Sequence, residues 1–125
     1  MAPERKPLFW VASSKENLKD FPPDVQDVMG YALDLAQQGL KHPDAKPLSG
    51  FGGAGVLEIV EDFATDTYRT VYTVKFAGAV YVLHAFQKKS KHGIQMPKRD
   101  KELIRRRLKG AQENYADWIE REDTQ

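Results

Sequence analysis

The chain of 125 residues contains no cysteine, which excludes a disulfide framework and a thiolate zinc site. It has no stretch near the ~20 apolar residues of a membrane span. Its first residues, MAPERKPLFWV, lack the apolar centre of a signal peptide. The expectation is therefore a soluble, cytoplasmic protein. The glycine-rich segment GLKHPDAKPLSGFGGAG lacks the Gly-Lys-Ser/Thr of a phosphate-binding loop and precedes a strand instead of a helix. It reads as a connector. His42, His84 and His92 are too scattered to define a metal-ligand motif, and no acidic nuclease motif is present. No metal and no cofactor is expected.

Net charge is scarce too, at +1, but the charge is not evenly spread. Residues 69–109 carry 12 Lys or Arg against 2 acids; residues 1–68 carry 6 against 11, and residues 110–125 carry 1 against 5. A chain polarised in this way focuses a field that its total conceals, and a basic face of this kind points to nucleic acid.

A hydrophobic content of 41% supports one modest core, so residues 1–125 read as a single domain. Alternation predicts a short strand over Leu8–Val11, with Phe9 and Val11 on one face and Leu8 and Trp10 on the other. A helix capped by Ser13 or Ser14 runs to Asp20 and is broken at Phe21-Pro22-Pro23. A second helix, capped by Asp24, runs to about Gln38 and buries Val25, Val28, Met29, Ala32, Leu33, Leu35 and Ala36. Three strands follow, over 55–61, 67–76 and 79–87, with Ala77-Gly78 as the turn between the last two. On the second of these, Tyr68, Thr70, Tyr72, Val74 and Phe76 are expected on one face. On the third, Val80, Val82, His84 and Phe86 oppose Tyr81, Leu83, Ala85 and Gln87. A helix from Lys98 to about Arg121 packs its Ile104–Leu108–Ala111–Tyr115–Trp118 stripe on the sheet and turns Arg105, Arg106 and Lys109 to solvent, with Arg107 on a third side. The fold class is α+β, with an N-terminal helical pair, a small antiparallel β-sheet and a C-terminal helix.

The motifs GVLEI, YRTVYTV and VLHAFQKKSK, followed by Pro97 and the Ile104-x-Arg106-x run of the last helix, resemble the phage Gp49-like family. That family is related to the HigB-like toxins of the RelE/ParE superfamily, and the resemblance spans Phe9 to Tyr115. It implies a compact RelE-like fold. It also implies a type II toxin–antitoxin pair, with a cognate helix-turn-helix antitoxin as partner. Members similar to HigB cut translated mRNA on the 70S ribosome; others in the superfamily inhibit DNA gyrase. By position, Arg69 matches the strand arginine of the family's YR-x-x-Y pattern, and Lys88 and Lys89 match its paired lysines.

RNA carries its own nucleophile, the 2′-hydroxyl, and a metal-free cleavage needs proton transfer, in-line placement and stabilisation of developing phosphate charge. The candidate catalytic residues are Arg69 for that charge, Lys88 and Lys89 for neighbouring phosphates, and His92 for proton transfer. Lys91, Lys98, Arg99, Arg105, Arg106, Arg107 and Lys109 are candidates for RNA or partner contact. His84 reads first as a structural residue of the sheet, and its closeness to the basic loop keeps it as a secondary site candidate; Glu58 is a possible base but reads more simply as a polar point on a half-buried strand. The expected function is a ribosome-dependent mRNA endoribonuclease. The alternatives are a gyrase inhibitor and a non-catalytic prophage interaction module. No independent sequence-specific DNA binding is expected, because the chain has no convincing helix-turn-helix of its own.

Overall fold

The computed structural model describes residues 5–53, 55–88 and 96–123. The elements run β1 (Leu8–Trp10), α1 (Ser14–Lys19), α2 (Pro23–Gln37), β2 (Lys46–Pro47), β3 (Val56–Phe63), β4 (Asp66–Thr73), β5 (Val80–Lys88) and α3 (Lys98–Asp123). The strands form one sheet in the order β1-β5-β4-β3-β2. β3, β4 and β5 are antiparallel neighbours, and β2 pairs antiparallel with β3. β1 adds parallel to β5, so the sheet is mixed at that edge.

Alternation along the strands separates two cores. Leu57, Ile59, Tyr68, Tyr72, Val80 and Val82 pack with Leu18, Val25, Met29, Leu33 and Ala36 of α1 and α2. On the other face, Val56, Val71, Tyr81 and Leu83 pack with Ile104 and Ala111 of α3. The expected division of β1 holds: Leu8 and Trp10 lean on the first core, Phe9 and Val11 on the second. Burying apolar area on both faces is what allows a sheet this small to be stable.

The boundaries differ where local chemistry overrides the pattern. Pro23, not Asp24, begins α2: Pro22 stands at the cap position, and a proline in the first turn gives up an N–H that has no helical partner. Ser13 caps α1 by position without a side-chain cap bond, and the buried Ser14 hydroxyl instead donates to the Val82 carbonyl at 3.3 Å. β4 stops at Thr73, short of the expected Phe76. The Val74 N–H still donates to the Gly55 carbonyl at 2.9 Å, one step past the Val56–Thr73 pair, and the Lys75 N–H then turns to the Thr73 hydroxyl at 3.1 Å, which takes the chain out of the ladder. Phe76 then joins the α3-side core, away from Tyr72. Gly55 is required there, since its φ is 70° and a Cβ would meet the Lys75 backbone nitrogen at 3.0 Å.

The largest departure is in β5. Val71 lies opposite His84 but Tyr72 lies opposite Val82, so β5 carries one extra residue. This β-bulge shifts the alternation by one position. Ala85 rejoins the face of Val80 and Val82, while His84 and Phe86 turn to the α3 face, against the expected grouping of His84 with Val80 and Val82.

Candidate functional site

The α3 face of the sheet collects charge next to its apolar core. Arg69 and Val71 share that face of β4, and Glu58 lies directly opposite Val71 on β3. Arg69 Nη1 and Glu58 Oε2 are 3.4 Å apart, with side-chain exposures of 4% and 18%. Burial pushes the Glu58 carboxyl above its ordinary range, against the opposing pull of Arg69, Lys101 and Lys46. Lys46 sits across from Glu58 in the β2–β3 ladder, and Lys101 reaches in from the first turns of α3. The result is a half-buried carboxylate backed by a covered guanidinium and rimmed by two lysines.

The bulge places His84 beside this pair. Its Nε2 lies 3.1 Å from Asp100 Oδ1, and its Nδ1 lies 3.4 Å from Arg107 Nη1, which also donates to the Leu83 carbonyl at 2.9 Å. Burial first, and then the Arg107 charge, lower the His84 pKa against the opposing contribution of Asp100. The neutral tautomer satisfies both contacts, with Nε2–H donating to Asp100 and Nδ1 accepting from Arg107. Phe86 stacks on the imidazole at 4.6 Å between centroids.

The expected site residues fall into three groups. Arg69 is in the cluster, but its guanidinium is covered by the fold, so its place is behind Glu58. Lys88 ends β5, half-buried, at the entrance to the following segment; Lys89, Lys91 and His92 lie outside the described residues. On α3, Lys98, Arg99, Arg105, Arg106 and Lys109 are exposed as expected. Arg107 instead turns inward to the sheet. In the sequence, Glu58 and His84 read first as structural residues, and Lys46, Asp100 and Lys101 did not stand out. The one legible signal was Glu58 itself, an acid inside an apolar strand; the others depend on cross-strand register and the bulge. Among the described residues, no group of three or more His, Asp or Glu side chains could hold a metal ion. None of the described helices is long and apolar enough to cross a membrane. The groove lined by Phe9, Val11, Tyr81 and Asn114 lies further along α3 and includes no member of the charged cluster.

A mixed, mainly antiparallel sheet between an N-terminal helical pair and a C-terminal helix with a basic first half is the arrangement of RelE-like proteins. The chain belongs to the family described as Phage derived protein Gp49-like (DUF891), whose model matches residues 16–109. That span runs from α1 through the Glu58–Arg69 cluster to the basic half of α3. No curated protein and no solved structure gives a significant match to the chain.

Proposed function

We propose that the protein is the toxin of a type II toxin–antitoxin pair and cleaves mRNA on the translating ribosome. The observation that carries this reading is the Glu58 carboxylate, partly exposed, with a raised pKa, held against the Arg69 guanidinium within a lysine-rimmed surface. A carboxylate with an elevated pKa is a better proton acceptor than an ordinary one at working pH. Its cationic surroundings suit a polyanionic substrate.

In the proposed reaction the RNA 2′-oxygen bonds to the adjacent phosphorus and the bond from phosphorus to the 5′-oxygen breaks. The 2′-hydroxyl proton passes to Glu58. The departing 5′-oxygen takes a proton from the basic segment that begins at Lys88 and includes Lys89, Lys91 and His92, leaving a 2′,3′-cyclic phosphate and a 5′-hydroxyl. Lys46 and Lys101 neutralise phosphate charge, and Arg69 acts as a positioning residue that fixes the carboxylate. The exposed Lys98, Arg99, Arg106 and Lys109 form the surface for ribosomal RNA or an acidic face of a helix-turn-helix antitoxin.

Inducing the chain without its antitoxin and mapping RNA 5′ ends tests the proposal. Growth arrest with new 5′-hydroxyl ends inside translated frames is the expected result. Arrest with DNA damage and intact mRNA would favour gyrase inhibition. No arrest, with tight binding to a neighbouring repressor, would favour a non-catalytic module.

A further inference from the structure

The connector before β3 is held on α3 by specific contacts. Lys101 Nζ donates to the Ser49 hydroxyl at 3.2 Å, and Arg105 Nη2 donates to the Gly50 carbonyl at 3.4 Å. The Arg105 guanidinium carbon lies 5.1 Å from the centre of the Phe51 ring. Gly50 has a φ of 91°, and a Cβ there would crowd Arg105 Nη2 at 3.3 Å, so glycine permits both the turn and the approach. Phe51 is half-buried and anchored on the α3-side core, whereas Arg105 is exposed. A planar cation is thus fixed on an aromatic ring at the protein surface. One helical turn away, Lys101 reaches both Ser49 and the field of Glu58, which makes this pair adjacent to the charged cluster.

We infer that the Phe51–Arg105 pair is a stacking platform for one unpaired nucleobase of the RNA strand whose backbone meets the Glu58–Arg69 cluster. The inference rests on the RNA-cleavage reading and specifies how that site holds its substrate. A guanidinium backed by an aromatic ring presents a flat, cationic, weakly hydrated surface, which bases stack on. Such stacking tolerates any base, because every base has a π-face. It therefore positions the strand without choosing its sequence. A partner that met Arg105 only as a charge would need neither the plane nor the phenyl ring beneath it.

The test separates plane from charge. Affinity for a short single-stranded 2′-O-methyl RNA, which cannot be cut because its nucleophile is blocked, is measured by fluorescence anisotropy with the full chain. Ribosome-dependent cleavage is measured in parallel. Arg105→Lys keeps the charge and removes the plane; Phe51→Leu keeps the apolar anchor and removes the ring. Each is expected to weaken binding about tenfold, and Phe51→Trp to retain it. Unchanged affinity in Arg105→Lys or in folded Phe51→Leu overturns the platform, even if the parent protein cleaves mRNA. Absence of oligonucleotide binding by the parent protein also overturns it. Binding that depends on both residues, with no cleavage by the parent protein, upholds the platform and removes the nuclease reading.

Discussion

Glu58 stands where a strand would ordinarily place an apolar side chain, between the buried Leu57 and Ile59 and on the face turned to α3. Burial raises its pKa, and three cations keep the ionised form within reach. If it is the proton acceptor, Glu58→Gln lowers ribosome-dependent cleavage about 10²–10⁴-fold, while the circular dichroism spectrum stays that of the parent. The rate rises with pH as Glu58 ionises. Arg69→Met removes the nearest cation, so the Glu58 pKa climbs further and the ascending limb of the pH–rate profile moves to higher pH. A limb that does not move would deny Arg69 its positioning role. His84 has the opposite shift, with its folded-state pKa lowered. The unfolded chain binds that proton more readily, so the His84 contribution to stability is present above the ordinary value near 6.5 and is lost as pH falls through the folded value. Urea denaturation at neutral and at mildly acidic pH should therefore give a smaller difference for His84→Gln than for the parent chain. At this scale the sequence revealed residue types but not company. Arg69 and Lys88 stand out from their motif, whereas the pairing of Glu58 with Arg69 across eleven positions follows only from the β3–β4 register.

Among the elements, the bulge in β5 decides which side of the sheet His84 serves. Regular alternation assigns it to the face of Val80 and Val82, and no residue type in VYVLHAFQ marks the extra position. Strand existence, helix periodicity and the packing stripe of α3 were legible because they depend on repeated apolar spacing. The bulge and the early end of β4 were not: the bulge is one extra β5 residue opposite the Val71–Tyr72 step, and the end of β4 depends on the bond from the Lys75 N–H to the Thr73 hydroxyl. α3 is fixed mainly through the fully buried Ile104 and Ala111, with Leu108 and Tyr115 half-buried beside them. Tyr115 also accepts a hydrogen bond from the Gly78 N–H at 2.9 Å, and the Tyr81 hydroxyl donates to Asn114 at 2.6 Å. Ile104→Ala should cost about 2–5 kcal/mol of stability in urea titration. It should also loosen the helix that carries Asp100, Lys101 and Arg105. The β3–β4 hairpin offers the opposite change. Ala64 has a φ of 57° in the connection between Phe63 and Asp66, a conformation that disfavours a Cβ. Ala64→Gly relieves that strain and should raise stability by up to about 1 kcal/mol, measured in the same titration.

Across the whole molecule, the uneven charge of the sequence becomes a division of surfaces. The acidic N-terminal part supplies both helices of the pair, and the basic part supplies most of β4, all of β5 and the first half of α3. The last turns of α3 are acidic again, so the cationic shoulder is bounded along its own helix. Reversing exposed charges there, with Arg106→Glu and Lys109→Glu, should slow association with ribosomes by roughly tenfold or more at low salt, with the difference shrinking as salt rises. Rapid mixing with purified ribosomes would measure it. The central claim is that this surface presents Glu58 to mRNA held by the ribosome. Its most direct test is 5′-end mapping of one mRNA in a translating extract, with and without ribosomes, for the parent chain and Glu58→Gln. The account predicts new 5′-hydroxyl ends within the reading frame for the parent chain only when ribosomes are present, and their near loss in Glu58→Gln. Equal cleavage by both proteins, or no cleavage by a folded parent chain on translating ribosomes, would contradict it.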